Sequence, residues 1–266
     1  MELSNQYLLF RLYGAMSSWG EIAVGENRHT ANHPSKSAVI GLTAAALGID
    51  RSDDVNQQAF ANTVRIACKV PKVGSLLRDY HTAQAPDSVG KFKYRTRRDE
   101  IVAGKMRLGT VLSSREYRTD AQAIIAISIA GNCPYSLEQI KGEAKVPGLL
   151  KPQYHLYLGR KACPLAAPLN PQIINAKTLK AAFDVYEPGK LIIGEPEWNN
   201  ESRWLNDDTL QGYYWEGEVS DFSEASDDFD PAHVQLMQRY DQPLSRKRWQ
   251  FMPRAEFYWS QQQGGA

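Results

Sequence analysis

Apolar residues along the chain gather in strand-length and helix-length runs, each closed by turn formers. Tyr7-Leu8-Leu9-Phe10-Arg11-Leu12-Tyr13 ends at Gly14 and predicts an opening strand, with Arg11 on its wet side. A loop rich in Gly, Ser and Asn follows, from Ala15 to His33. Pro34-Ser35-Lys36-Ser37 then launches Ala38-Val39-Ile40-Gly41-Leu42-Thr43-Ala44-Ala45-Ala46-Leu47, which stops at Gly48. Proline and serine at the start and glycine at the end are helix punctuation. The run is apolar nearly all round, which predicts a buried helix.

Thr63-Val64-Arg65-Ile66-Ala67-Cys68-Lys69-Val70 alternates and ends at Pro71, the pattern of a half-buried strand. Ala123-Ile124-Ile125-Ala126-Ile127-Ser128-Ile129 predicts a second central strand, closed by Gly131-Asn132. Ser136 is placed to cap a short helix over Leu137-Glu138-Gln139-Ile140-Lys141. Strand, helix, strand, long excursion, strand and helix follow the β-α-β-β-α-β order of a ferredoxin-like (RRM-like) α+β domain. The pattern places that domain over residues 1–190 and a weaker, aromatic-rich, β-type extension over 191–266. No internal repeat is visible.

The excursion from Gly74 to Asp120 has few apolar residues, and connections of that length in compact domains are usually functional or disordered. It carries Arg78, Lys91, Lys93, Arg95, Arg97, Arg98, Lys105, Arg107, Arg115 and Arg118 against Asp79, Asp87, Asp99, Glu100, Glu116 and Asp120, with Phe92, Tyr94 and Tyr117 interleaved. A basic arm with aromatics suits gripping a nucleic-acid backbone while stacking on bases. A solvated basic loop is the plainer alternative.

Charge sharpens this picture. The formal net charge is +1, but residues 1–194 hold 25 of the 31 Lys+Arg and 16 of the 30 Asp+Glu, a balance of +9, whereas residues 195–266 balance to −8. Either the basic body meets a polyanion, or the two parts neutralise each other within the fold. The stretch from Glu195 to Asp230 has twelve carboxylates and only Arg203 as a cation. It also holds Trp198, Trp204, Tyr213, Tyr214, Trp215 and Phe222, too many aromatics for a disordered tail. It reads as a β-hairpin or loop packed on the chain's own basic face or on a basic partner.

Composition excludes several classes. No run approaches the roughly 18 unbroken apolar residues of a membrane span, and Met1-Glu2-Leu3-Ser4-Asn5-Gln6 lacks a signal-peptide pattern. Cys68, Cys133 and Cys163 are far apart without a CxxC pair, so the expectation is a cytoplasmic protein with neither disulfides nor zinc. His29, His33, His81, His155 and His233 form no HxH or HExxH pair, and no phosphate loop, dinucleotide fingerprint or GxSxG elbow appears. No cofactor and no metal site is expected.

Arg78-Asp79-Tyr80-His81 supplies a base, an acid and a cation, the residue types of a metal-free ribonuclease. The same residues also stack on and hydrogen-bond RNA without cutting it. Three segments are candidate phosphate grips. Ser35-Lys36-Ser37 stands at a predicted helix N-terminus, where free N–H groups favour an anion, although Lys36 is equally a plain exposed lysine. Lys151-Pro152-Gln153-Tyr154 leads to a turn at Gly159-Arg160-Lys161, with a structural loop as its alternative. The third is the basic arm, with Arg115 and Tyr117 near the returning strand. Trp19 is as much a core residue as a stacking platform.

Several motifs together resemble the CasD family, the type I-E Cascade subunit that holds the 5′ handle of crRNA. They are Leu12-Tyr13-Gly14-Ala15-Met16-Ser17-Ser18-Trp19-Gly20, Pro34-Ser35-Lys36-Ser37-Ala38-Val39-Ile40-Gly41-Leu42, Leu47-Gly48-Ile49, Leu77-Arg78-Asp79-Tyr80-His81-Thr82, Arg115-Glu116-Tyr117, Leu150-Lys151-Pro152-Gln153-Tyr154 and Tyr157-Leu158-Gly159-Arg160-Lys161-Ala162-Cys163-Pro164-Leu165. The chain after about 190 matches little. The resemblance implies a protruding β-hairpin thumb at about 74–120 and a non-catalytic role. It also implies crRNA, the backbone subunit CasC and the large subunit CasA as partners, and target DNA through the assembled complex. A type I-C relative cleaves precursor crRNA without metal, which makes endoribonuclease the alternative activity. The RNA-binding residues expected on this basis are Arg28, Ser35, Lys36, Ser37, Arg78, Tyr80, His81, Arg98, Arg115, Tyr117, Lys151, Tyr154, Arg160 and Lys161.

Overall fold

The computed structural model describes residues 5–23, 25–87, 93–190, 205, 210–226 and 228–262. Lys91 and Phe92 of the basic arm, and Trp198 and Trp204 of the acidic stretch, lie outside them. The described residues form a mixed α and β fold dominated by a large sheet that is antiparallel apart from one short parallel pairing. Strand β1 (Asn5–Ser17) runs past Gly14, followed by β2 (Asn27–Arg28), helix α1 (Lys36–Leu47) and α2 (Asp54–Thr63). Next come β3 (Val64–Lys72), β4 (Ser75–Pro86), the six-residue α3 (Arg97–Val102), a 3-10 turn (Lys105–Arg107) and the long β5 (Leu108–Ile129). The chain continues through α4 (Leu137–Lys141), β6 (Gln172–Ala176), α5 (Leu179–Val185), β7 (Leu210–Trp215), β8 (Gln235–Ser245) and β9 (Gln250–Gln262).

Local chemistry sets the helix ends. Ser35 caps α1 by accepting from the Ala38 N–H, and Gly48 ends it in the left-handed region at φ 81°. Ser136 and Gln139 form a reciprocal capping box on α4, and Thr96 and Asp99 do the same on α3.

The main sheet order is β6-β1-β5-β3-β7-β9-β8. The strands beyond residue 190 therefore continue the sheet of the first part, β7 pairing with β3 through Ala67↔Trp215 and Cys68↔Tyr214. Each face of the sheet carries its own core. Leu8, Phe10, Leu12, Ile125 and Ile127 pack with Val39, Ile40 and Phe60 on one face; Leu9, Ile124, Ala126, Tyr213, Trp215 and Trp259 pack with Phe183 and Phe222 on the other.

Two coverings overturn expectations from pattern alone. Arg11 is 1% exposed rather than on a wet side. It faces a region closed by the 168–189 segment, where its guanidinium donates to the Gly189 carbonyl at 3.0 Å and the Pro168 carbonyl at 3.4 Å. In β3, Ala67 and Cys68 are both buried, because aromatic strand β7 lies beside it and both faces are covered. Trp19 is a core residue at 4% exposure.

Candidate nucleic-acid interface

The basic excursion folds as a hairpin, with β4 paired to the first half of β5 from Ser75↔Thr119 to Pro86↔Leu108. Its hinge is built from residues with unusual backbone. Gly74 has φ 70°, and a Cβ there would lie 2.2 Å from the Thr119 carbonyl oxygen; Asp120 has φ 56°. The Asp120 carboxylate accepts from the Tyr13 hydroxyl at 2.7 Å and from the Lys72 ammonium. Burial, followed by the Asp120 contact, pushes the Tyr13 phenol up to about 12. Arg98 is exposed on α3 at the other end. Nine positions separate Leu77 from Pro86, so the tip stands about 30 Å from the root at ~3.3 Å per residue.

At the root, β5 is flanked on both edges. Arg28 on β2 lies beside Arg115, whose other neighbour is Asp79 on β4; Glu116 faces Arg78, and Tyr117 faces Leu77. Strand alternation puts Arg78, Tyr80 and Glu116 on one face and Asp79, His81, Arg115, Tyr117 and Arg28 on the other. The expected Arg78-Asp79-Tyr80-His81 cluster is therefore split between two faces. Glu116 is a hub: it accepts from Arg78 at 2.8 Å, the Thr30 N–H at 3.3 Å and His29 at 3.3 Å. The Arg78 guanidinium, with lesser help from Thr30 and His29, holds the Glu116 carboxyl below its usual range despite partial desolvation. Tyr80 and His81 are exposed, and no hydrogen bond or ion pair among the described residues engages the His81 ring.

The turn at Gly159-Arg160-Lys161 docks onto this root. Leu158 accepts from the Ser18 N–H at 3.0 Å, and the Arg160 guanidinium lies 4.8 Å from the Tyr117 ring centroid. Gly159 has φ 82°, and a Cβ on it would fall 1.8 Å from the Ser18 carbonyl oxygen. Gly159→Ala is expected to cost about 2 kcal/mol or more from strained backbone alone, read as a lower urea midpoint with an unchanged slope.

A groove of about 1400 Å³ opens from this root across α1. Arg28, Arg160, Ser35, Ser37 and Tyr154 line it. The 153–154 segment is anchored there because the Gln153 and Tyr154 N–H groups donate to the Ala46 and Ala45 carbonyls of α1. Lys151 and Lys161 are exposed on the same loop.

Lys36 is not an open phosphate grip. It is 5% exposed, and its ammonium contacts Glu216 at 2.7 Å, while its backbone N–H donates to Asp241 at 2.7 Å. The N-terminus of α1 is thus closed by carboxylates of the chain's own later strands. They belong to a buried network. Arg254 binds Asp241 at 2.6 and 3.0 Å and Glu256 at 2.5 Å; Arg239 reaches Glu256 at 3.5 Å and also contacts His33. His33 stacks on Tyr214 at 3.6 Å and meets Asn32 and Glu256 through its ring nitrogens at 2.9 and 3.0 Å. Burial works to raise the Glu256 carboxyl, but His33, Arg254 and Arg239 outweigh it and hold it at about 2. Burial drives Glu216 the other way, above the usual range, against the pull of Lys36 and Arg254.

Reading by motif overlooked the later strands' share of the groove: Arg239, Tyr240, Arg246, Trp249 and Phe251, with Arg51 from the loop before α2. The run Arg246-Lys247-Arg248-Trp249 was the available signal, masked by the acidic balance of the region around it.

The family model described as CRISPR-associated protein (Cas_Cas5) matches residues 7–255. The CRISPR system Cascade subunit CasD of Escherichia coli (strain K12) is 30% identical over 190 residues, spanning 68% of this chain and 77% of that one. A solved chain of a CRISPR RNA-guided surveillance complex aligns with a TM-score of 0.59 at 22% identity, covering 96% of this chain and 90% of the other, a likeness of fold. A basic hairpin rooted beside a cation-lined groove accords with these matches, and the chain belongs to the CasD family of CRISPR-associated proteins.

Proposed function

We propose that this chain is a non-catalytic subunit of a type I-E Cascade surveillance complex, which binds and caps the 5′ handle of crRNA and serves RNA-guided recognition of target DNA in antiviral defence. Its partners on this reading are the crRNA, the backbone subunit CasC and the large subunit CasA, in the cytoplasm. The strand order β6-β1-β5-β3 with helices between supports treating the first part as ferredoxin-like.

The observation that carries the proposal is the convergence of Arg28, Arg115, Tyr117 and Arg160, from three separate segments, on one face of the hairpin root. Guanidinium groups there hold phosphates, and the aromatic and basic pair offers stacking to splayed bases. Exposed Arg78, Tyr80 and His81 hold the opposite face of the same strands, so the hairpin acts as a wedge with RNA contacts on both sides. Tyr154 extends the seat along the groove, with exposed Lys151 and Lys161 on the same loop; Ser37 lines it as well, whereas Ser35, at 3% exposure, spends its hydroxyl on the α1 cap rather than on RNA.

The deciding experiment is photocrosslinking of the reconstituted complex carrying guide RNA with a photoreactive base in its first nucleotides. Crosslinks in peptides containing Arg115–Tyr117 and Tyr154–Lys161 are expected; crosslinks to other subunits alone would refute the reading. The full chain incubated with a repeat hairpin in chelator should leave the RNA intact. Cleavage that disappears in His81→Ala while binding survives would replace the proposal by the endoribonuclease alternative.

A further inference from the structure

We propose that the β8–β9 turn, with Arg51, forms a second RNA seat, in which Trp249 stacks on a base and Arg51, Arg246, Lys247 and Arg248 hold the flanking phosphates of a single strand. The inference rests on reading the groove as RNA-binding and extends it to a segment outside the motifs of the hairpin root.

Three of the six cations after residue 195 are consecutive here, Arg246-Lys247-Arg248, immediately before Trp249. Buried Arg239 and Arg254 are engaged by carboxylates. By contrast, among the described residues no ion pair engages Arg51, Arg246, Lys247 or Arg248; the pairs of this neighbourhood all belong to the buried network. The nearby carboxylate that shapes the turn is committed to its backbone. Asp54 accepts from the Arg246 and Lys247 N–H groups at 3.1 and 3.3 Å and from the Ser245 hydroxyl at 2.8 Å. Burial lowers Arg246 from its ordinary range, and the charge of Arg51 pushes in the same direction. Four cations gathered around one carboxylate, Asp54, leave a net positive charge that makes a seat for an anion.

The aromatic is displayed rather than buried. Trp249 is 60% exposed, with Arg51 over its ring at 4.1 Å and the Phe251 ring 6.4 Å away in a tilted contact. Its backbone sits at φ 53°, the left-handed region that few bulky residues adopt outside tight turns. The Asp54 hydrogen bonds hold that geometry. Arg51, Arg246, Trp249 and Phe251 line the same groove as Arg28, Arg160 and Tyr154, so one extended strand can run from the hairpin root to this turn. Arg246 also crosses the groove floor, donating to the Ser37 carbonyl over Gly41.

The test is fluorescence anisotropy of the full chain with a uridine oligoribonucleotide of about 12 nucleotides, a length within ordinary single-strand site sizes. Trp249→Gly removes the ring and relieves the backbone strain together, so a binding loss in this variant does not report unfolding. It is expected to weaken binding about tenfold, as loss of one aromatic–base stack does. Lys247→Glu with Arg248→Glu should weaken binding and flatten its salt dependence, whereas Trp249→Phe should retain most of the affinity. If Arg115→Glu with Arg160→Glu weakens binding but the turn variants do not, this inference falls and the function proposed above stands. If neither set matters, both fall. Equal or tighter binding of a deoxyuridine strand, or a turn-dependent response only to an acidic peptide, would overturn the assignment to RNA.

Discussion

Arg115→Glu with Arg160→Glu is expected to reduce guide RNA retention at low salt by about a hundredfold or more, since each charged hydrogen bond to a phosphate contributes roughly 1.5–3 kcal/mol. The slope of log affinity against log salt should also become shallower by about 0.7 for each phosphate that the protein no longer neutralises. These two residues come from different segments and are joined through Tyr117, over which the Arg160 guanidinium lies at 4.8 Å. Lys145→Glu, an exposed cation outside both the hairpin and the groove, is the control and should alter retention far less. Filter binding across a salt series decides the matter. A double variant that holds RNA as tightly, with an unchanged slope, would remove the hairpin root from the RNA path.

Arg254→Leu should be the most damaging single substitution for stability. Arg254 bridges Asp241 and Glu256 and approaches Glu216 at 3.7 Å, all in a buried setting. Removing it leaves three carboxylates with only Lys36, Arg239 and the His33 ring as partners in the network, and breaking a buried pair from one side costs about 3–5 kcal/mol. That is a large fraction of the roughly 5–15 kcal/mol by which folded domains are held. Urea melts of the full chain measure it, and a loss under about 1 kcal/mol would mean that water or rearrangement replaces the arginine.

The network also sets an acid limit. Glu256 is held at about 2, below its ordinary 4.5. Its contribution to stability is therefore complete above about 4.5 and is lost as pH falls from there toward 2, because the unfolded chain takes up the proton first. Glu216, shifted upward, opposes this part of the profile. In Arg254→Leu, one of the charges that depress Glu256 is gone, so its folded-state value moves up toward 4.5, and this contribution becomes smaller and is fully lost at a higher pH than in the parent chain. Melts between pH 2 and pH 6 test the sign.

Much of the secondary structure is written locally. Ser35 and Gly48 bracket α1, and Ser136 caps α4, because capping depends on groups within a few residues of the helix end. The alternating cations and aromatics of 74–120 identify a projecting basic element without reference to the rest of the chain. Other properties depend on partners distant in sequence. Arg11 occupies a polar position in an apolar strand, the usual mark of a solvent face, yet the 168–189 segment closes over it. Lys36 has the setting of an anion grip, yet Glu216, 180 positions later, neutralises it. Both alternatives raised by the charge asymmetry thus have a place in the molecule: part of the acidic extension neutralises the body, and much of the hairpin's positive charge remains exposed.

The amino-acid order by itself determined the ends of α1 and α4, the strands β1 and β3 and the second half of β5, the basic finger and the motifs of the family. Tertiary structure decided which charges remain available to a ligand, since side chains adjacent in sequence alternate between strand faces while those hundreds of residues apart meet as ion pairs. It also turned the last hairpin into a wall of the groove, a location that residue types alone do not specify.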